Sequence, residues 1–184
     1  GANVLTVTVD DESGAYTAVK NLISLGHRKI AIVSTEGMAL SSKDREHGYI
    51  KALNEFDIPV KEEYIYRGTY DPYNGGKAFE QFMALPEPPT AIFCISDLLA
   101  AGTMKKAISS GYKIGEDISV CGFDNIQMCE LYNPGITTIE QPAFEIGKTV
   151  INELVKNIKQ NQKKGRHIKL NYRLIQRESV QKAK

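Results

Sequence analysis

The residues best suited to chemistry lie just past runs of apolar, β-favouring sequence. Residues 117–125 read DISVCGFDN, with no charge between 118 and 123 and then Asp124 and Asn125. An uncharged run of this kind suits a strand buried on both faces of a parallel sheet. Ligands in open α/β sheets bind beyond the carboxyl ends of the strands, which makes Asp124 a candidate ligand group. Taken alone, the stretch is more simply explained by a helix N-cap, where Asp and Asn are favoured.

The other apolar runs end in the same way. After 29–34 (KIAIVS) come Ser41, Ser42 and Arg45, and after 64–67 comes Tyr70. Ser96 and Asp97 follow 90–95 (TAIFCI), and Gln141 follows 136–140. In a parallel sheet all of these fall at one edge. They supply a cationic fork, two carboxylates, an amide, hydroxyls and an aromatic face, a set suited to a small polyhydroxylated ligand. Arg, Asp and Gln engage neighbouring hydroxyls with paired hydrogen bonds, while an aromatic ring packs on the apolar face of a sugar.

Catalytic chemistry has less support. There is no Gly-rich phosphate loop, Gly-x-Ser-x-Gly elbow or zinc spacing. His27, His47 and His167 lie near no identifiable nucleophile, and His27 with Arg28 and Lys29 suits the negative end of a helix closed by Gly26. Asp10, Asp11 and Glu12 precede a helix and match its positive end, so they require no metal. Cys94, Cys121 and Cys129 lack metal-ligand spacing, and two of them sit in apolar runs where free Cys acts as a small hydrophobe. The expectation is a protein without metal or cofactor, not an enzyme, in a reducing cytoplasm. A glycosidase-like carboxylate pair is the enzyme alternative.

These side chains need a frame. The 184 residues are 42% hydrophobic, enough for one sizeable domain. A formal charge of +1 gives no strong footprint for nucleic acid, and no apolar run approaches a membrane span. Strands are predicted at 4–9, 29–34, 64–67, 90–95, 118–123, 135–140 and 173–176. Helices are predicted at 13–25, from a polar loop at 41–44 to about 56, at 74–84, from a cap at Asp97 to 110, and at 144–158. The last carries Ile146, Val150, Leu154 and Ile158 on one stripe. Residues 159–169, polar and basic, read as a flexible connection. Strands alternating with helices imply an α/β fold, a parallel sheet flanked by helices with right-handed crossovers.

The residues also carry a resemblance. DDESGAYTAVKNLISLGHRKIAIVS, Arg45 shortly before Gly48-Tyr49, PPTAIFCISDLLAAG, EDISVCGFDN and PGITTIEQP together resemble the LacI/GalR family of bacterial transcription regulators from about residue 4 to 179. The resemblance implies one lobe of a type I periplasmic-binding-protein-like fold. On that basis 10–141 and 171–184 form the C-terminal lobe of an effector-binding domain. Residues 1–9 and 143–160 are then remnants of the N-terminal lobe, with crossovers near 9–11, 139–143 and 169–173. A DNA-binding helix-turn-helix is expected outside this chain, so that operator DNA is reached only through it. The implied effector is a small molecule, usually a sugar, gripped by Arg45, Tyr70, Ser96, Asp97, Asp124 and Gln141, with Tyr70 stacking on it. Ser96 stands where several members have Asn. Leu98, Ala101 and Tyr132 match positions near a homodimer interface, although helix-on-sheet packing also explains Leu98 and Ala101. The alternative is a periplasmic sugar-binding protein serving a transporter. Without a second lobe, the 144–158 stripe must find cover elsewhere, and self-association is expected.

Overall fold

The computed structural model describes residues 4–37, 39–160 and 165–184. Its elements are β1 (Leu5–Val9), α1 (Asp11–Ser24), β2 (Ile30–Thr35), α2 (Leu40–Glu55), β3 (Ile65–Gly68), α3 (Pro72–Met83), β4 (Ala91–Cys94), α4 (Asp97–Ser109), β5 (Ser119–Asp124), α5 (Met128–Leu131), β6 (Thr137–Glu140), α6 (Ala143–Lys159), β7 (Arg166–Leu170) and β8 (Arg173–Ile175). Six strands form one sheet in the order β3-β2-β4-β5-β6-β8. The first five are parallel, and β8 closes the edge antiparallel to β6. β4 is buried throughout, and β5 is buried up to Asp124, as their uncharged sequences require.

The order of the strands decides where the helices go. From β2 the chain steps sideways to β3, then returns past β2 to β4 and continues to β5. Right-handed crossovers in opposite directions place α2 on one face and α3 and α4 on the other. α1 packs on α2, and α3 packs on α4. Both helix pairs approach closely through glycine. A Cβ at Gly48 would collide with the Glu12 carbonyl oxygen of α1, and one at Gly102 with the Pro72 carbonyl oxygen of α3. Tyr49 then lies fully buried beneath α2, its hydroxyl donating to the Ile30 carbonyl at 2.8 Å.

A second, two-stranded parallel sheet pairs β1 with β7, Leu5 opposite Arg166 through Val9 opposite Leu170, and α6 lies against β1. Residues 166–169 are therefore strand rather than flexible connection. Their alternation of exposed and half-buried positions is hidden by a basic sequence whose partner lies more than 150 residues away. Residues 161–164 of that stretch, and 1–3 of the N-terminal segment, lie outside the described residues. α6 buries none of its residues: Phe144, Ile151, Leu154, Val155 and Ile158 are all exposed.

Local expectations also shift at two helix starts. Ser41 and Ser42 belong to the first turn of α2 rather than to a loop. α4 is capped by Ser96, whose hydroxyl accepts from the Leu99 amide at 3.3 Å, and Asp97 is its first helical residue. Ser96 takes this role because its extended backbone turns the hydroxyl back over the free amides of the first turn.

Candidate functional site

The chain leaves β2 toward β3 and leaves β4 the other way toward β5, so the switch point lies between β2 and β4, where an open α/β sheet leaves a crevice at its carboxyl edge. Arg45 fills that point. It projects from α2, which follows β2, and its Nη1 donates to the Ile95 carbonyl just past β4 at 2.6 Å. Nε donates to Asp11 Oδ1 at 2.8 Å, and Nη1 also reaches Asp124 Oδ1 at 3.2 Å. The guanidinium lies 3.8 Å from the centroid of the Phe123 ring. Only 7% of the residue is exposed, so the ring and three oxygens hold the fork in one orientation.

Asp124 ends β5 and gathers the remaining groups. Its Oδ1 accepts from Gln141 Nε2 at 2.6 Å, and the Gln141 amide bonds its carbonyl at 3.3 Å. Oδ2 has a long 3.4 Å contact with the Tyr70 hydroxyl. Burial raises the Asp124 carboxyl above the usual range, opposed by the Arg45 charge and by hydrogen bonds from Gln141 and Arg45. Tyr70 is 53% exposed, and its hydroxyl too is raised by the partial burial of that end. Asp124 is no helix cap: the next helix starts at Met128, and Asp124 and Asn125 both have positive φ, 114° and 55°.

Arg45, Tyr70, Asp124 and Gln141 thus meet on one ledge. Ser96 and Asp97 lie buried behind it, Ser96 still touching the Tyr70 hydroxyl. Ser96 is fully buried in its capping role, and Asp97, also fully buried, accepts from Thr138 Oγ1 at 2.6 Å and from the Ile126 amide at 2.9 Å. Sequence reasoning placed them by their position after a strand, which does not show which way a side chain turns. It also passed over two members of the cluster. Asp11, read as helix-end charge, is the nearest carboxylate to Arg45, and Phe123, read as core, supplies the ring beneath it. For Asp11 the signal was present, a carboxylate at a helix start beside a strand exit.

Of the proposed interface positions, Leu98 and Tyr132 are half-buried. Ala101 is 2% exposed, packed into this chain's own core, which leaves it no surface for a partner. Among the described residues no His, Cys, Asp and Glu cluster could hold a metal ion, and no helix is long and apolar enough to cross a membrane. The thiols of Cys94, Cys121 and Cys129 are all pushed up by burial, Cys94 to about 12, so none is poised as a nucleophile. Concavities of about 670 and 750 Å³ lie elsewhere, beside Arg177 and between Asp10 and Tyr172, and carry none of the cluster.

The chain is a doubly wound sheet with a polar, largely hydrogen-bonded ledge at its switch point, and residues 19–180 match the family described as periplasmic binding protein-like domain, to which the chain belongs. Within that family it is of the LacI type. It is 39% identical over 176 residues to the HTH-type transcriptional repressor CytR of Escherichia coli (strain K12), covering 95% of this chain and 50% of that protein. A LacI family transcriptional regulator from Enterococcus faecium with bound ribose superposes with a TM-score of 0.91 at 32% identity, over 100% of this chain and 68% of that one. A LacI regulator from Bacillus cereus subsp. cytotoxis does so with a TM-score of 0.93 at 27% identity, over 98% and 64%. The chain spans about half the length of the curated relatives it matches.

Proposed function

We propose that this chain is the effector-sensing part of a cytoplasmic transcription regulator whose hold on operator DNA is controlled by a small ligand, a sugar or a sugar-containing molecule. One observation carries the reading: Arg45, Asp124, Gln141 and the exposed ring of Tyr70 converge at the switch point of the sheet. Asp124 accepts from ligand hydroxyls, Gln141 and Arg45 donate, and the Tyr70 ring covers an apolar sugar face. Asp11 and Phe123 hold the Arg45 fork in place. This is binding chemistry. The ribose held by the Enterococcus faecium regulator favours a sugar as the first ligand class to try.

DNA is contacted through an N-terminal domain outside these residues, and β1, β7 and α6 belong to a second lobe that closes over the ligand. A homodimer forms through the face carrying Leu98 and Tyr132. Titration calorimetry of the intact protein with D-ribose, D-galactose, D-glucose, cellobiose and ribonucleosides tests the ligand class. One of these should bind, and Asp124→Ala should weaken it by roughly 10- to 150-fold, the loss of about 1.5–3 kcal/mol for a hydrogen bond to a charged group. Equal affinity in Asp124→Ala would remove that residue from the site. Absence of heat with every compound would overturn the sugar reading.

A further inference from the structure

Asp97 is a buried carboxylate that the ligand ledge does not use, and both of its oxygens act on the loop that presents Asp124. Oδ2 accepts directly from the Ile126 amide at 2.9 Å. Oδ1 accepts from the Thr138 hydroxyl at 2.6 Å, and that hydroxyl oxygen in turn accepts from the Asn125 amide at 3.4 Å. The two amides belong to the residues that follow Asp124, where the backbone runs through positive φ at Asp124 and Asn125. L residues persist in such geometry only where the surroundings hold them there.

We propose that Asp97 is the positioning residue of the site, its two carboxylate oxygens fixing the 124–126 turn that aims Asp124 at the ligand. The role rests on Asp124 being the ligand-gripping group. Three features fit a carboxylate at this place. Burial raises the Asp97 carboxyl, and the hydrogen bonds from Thr138 and the Ile126 amide oppose that rise by favouring the ionised form, which accepts at both oxygens. As the first residue of α4, Asp97 lies at the positive end of that helix. Gly122 leaves room for it, since a Cβ there would collide with Asp97 Oδ1.

Hydrogen exchange of the ligand-free chain, followed residue by residue in ¹⁵N NMR spectra, reads the turn directly. In Asp97→Ala the Asn125 and Ile126 amides should exchange at least tenfold faster relative to the Ile92 and Phe93 amides of β4 in the same variant. Asp97→Asn, which keeps one acceptor, should fall between Ala and the parent. Should Asp97→Ala fail to fold, Thr138→Val breaks the same network from β6 and should speed Asn125 selectively, while Thr138→Ser restores it. Acceleration spread evenly over the sheet, or none at 125 and 126, would overturn the proposal and leave Asp97 a general core group. A parallel calorimetric titration with D-ribose separates the two readings. If the parent protein binds no ribose, the ribose assignment fails, while the exchange data still decide the role of Asp97. If it binds, affinity should fall about tenfold in Asp97→Ala.

Discussion

Replacing Arg45 with alanine should cost stability as well as ligand affinity. The Arg45 side chain is 9% exposed, and those of Asp11 and Asp124 are 14% and 21% exposed. Its removal leaves two carboxylates on the same ledge without their cation and the Ile95 carbonyl without its donor. Breaking a buried ion pair by deleting one partner costs about 3–5 kcal/mol. Both carboxylates keep some contact with water, which puts the expected loss at the lower end, about 3 kcal/mol. In a chain of this size each kcal/mol lowers Tm by about 2–4 °C, so the melting point should fall by about 6–12 °C. Urea unfolding at pH 7 with calorimetric melting measures both. The deficit should shrink as pH falls. A carboxyl whose folded pKa is raised, as for Asp124, favours the folded state below its unfolded value of 3.8 and loses that advantage as pH rises through the raised pKa. Without Arg45 the carboxyl moves higher still, and protonation relieves its repulsion with Asp11. Arg45→Lys restores the charge but not the fork and should recover part of the loss. The exposed pair Arg67–Glu62, with side chains 38% and 78% exposed, provides the contrast: Glu62→Ala should change stability by about 0–1 kcal/mol. An Arg45→Ala protein less than about 0.5 kcal/mol weaker than its parent would refute the view of Arg45 as a buried hub.

Two further outcomes follow from other parts of the molecule. His27 is buried between the Thr90 hydroxyl and the Gln181 carbonyl, and burial lowers its pKa below 6.5. Its neutral form therefore stabilises the fold above that value, and stability should drop as pH falls through and below 6.5, a slope that His27→Gln should remove in urea melts at stepped pH. The uncovered stripe of α6 predicts self-association of the 184-residue chain: burying five apolar side chains that are 43% to 80% exposed offers on the order of 5 kcal/mol. Ile151→Asp with Ile158→Asp should abolish association through α6 and leave only the dimer formed by the Leu98 and Tyr132 face in light scattering across a dilution series, whereas a double variant that associates as far as its parent would sink the idea.

Much of the fold was legible because its signals are local. β4, and β5 up to Asp124, are uncharged runs as short as a strand, α1 repeats its apolar residues at helical spacing, and Gly26 follows α1 as expected. Alternation of such segments implies a parallel sheet, and a parallel sheet brings every strand exit to one edge. That logic was enough to bring Arg45, Tyr70, Asp124 and Gln141 together from positions as far apart as residues 45 and 141.

What the sequence by itself determined was thus which segments become strands and helices, and which residues stand at their carboxyl ends. Tertiary structure decided which way those residues face. Ser96 and Asp97 share the position after β4 that marks a ligand group, yet Ser96 turns back to cap α4, and Asp97 turns inward to Thr138 and Ile126. Ala101 sits on a helix but not on its free face, and β7 exists only because β1 lies beside it. Asp11 and Phe123 join the site because α1 and β5 converge beneath α2. Periodicity reports the face of an element relative to its own axis, whereas burial, pairing and the sign of φ at Asp124 depend on contacts between residues far apart in the chain, and these form only when the sheet is assembled.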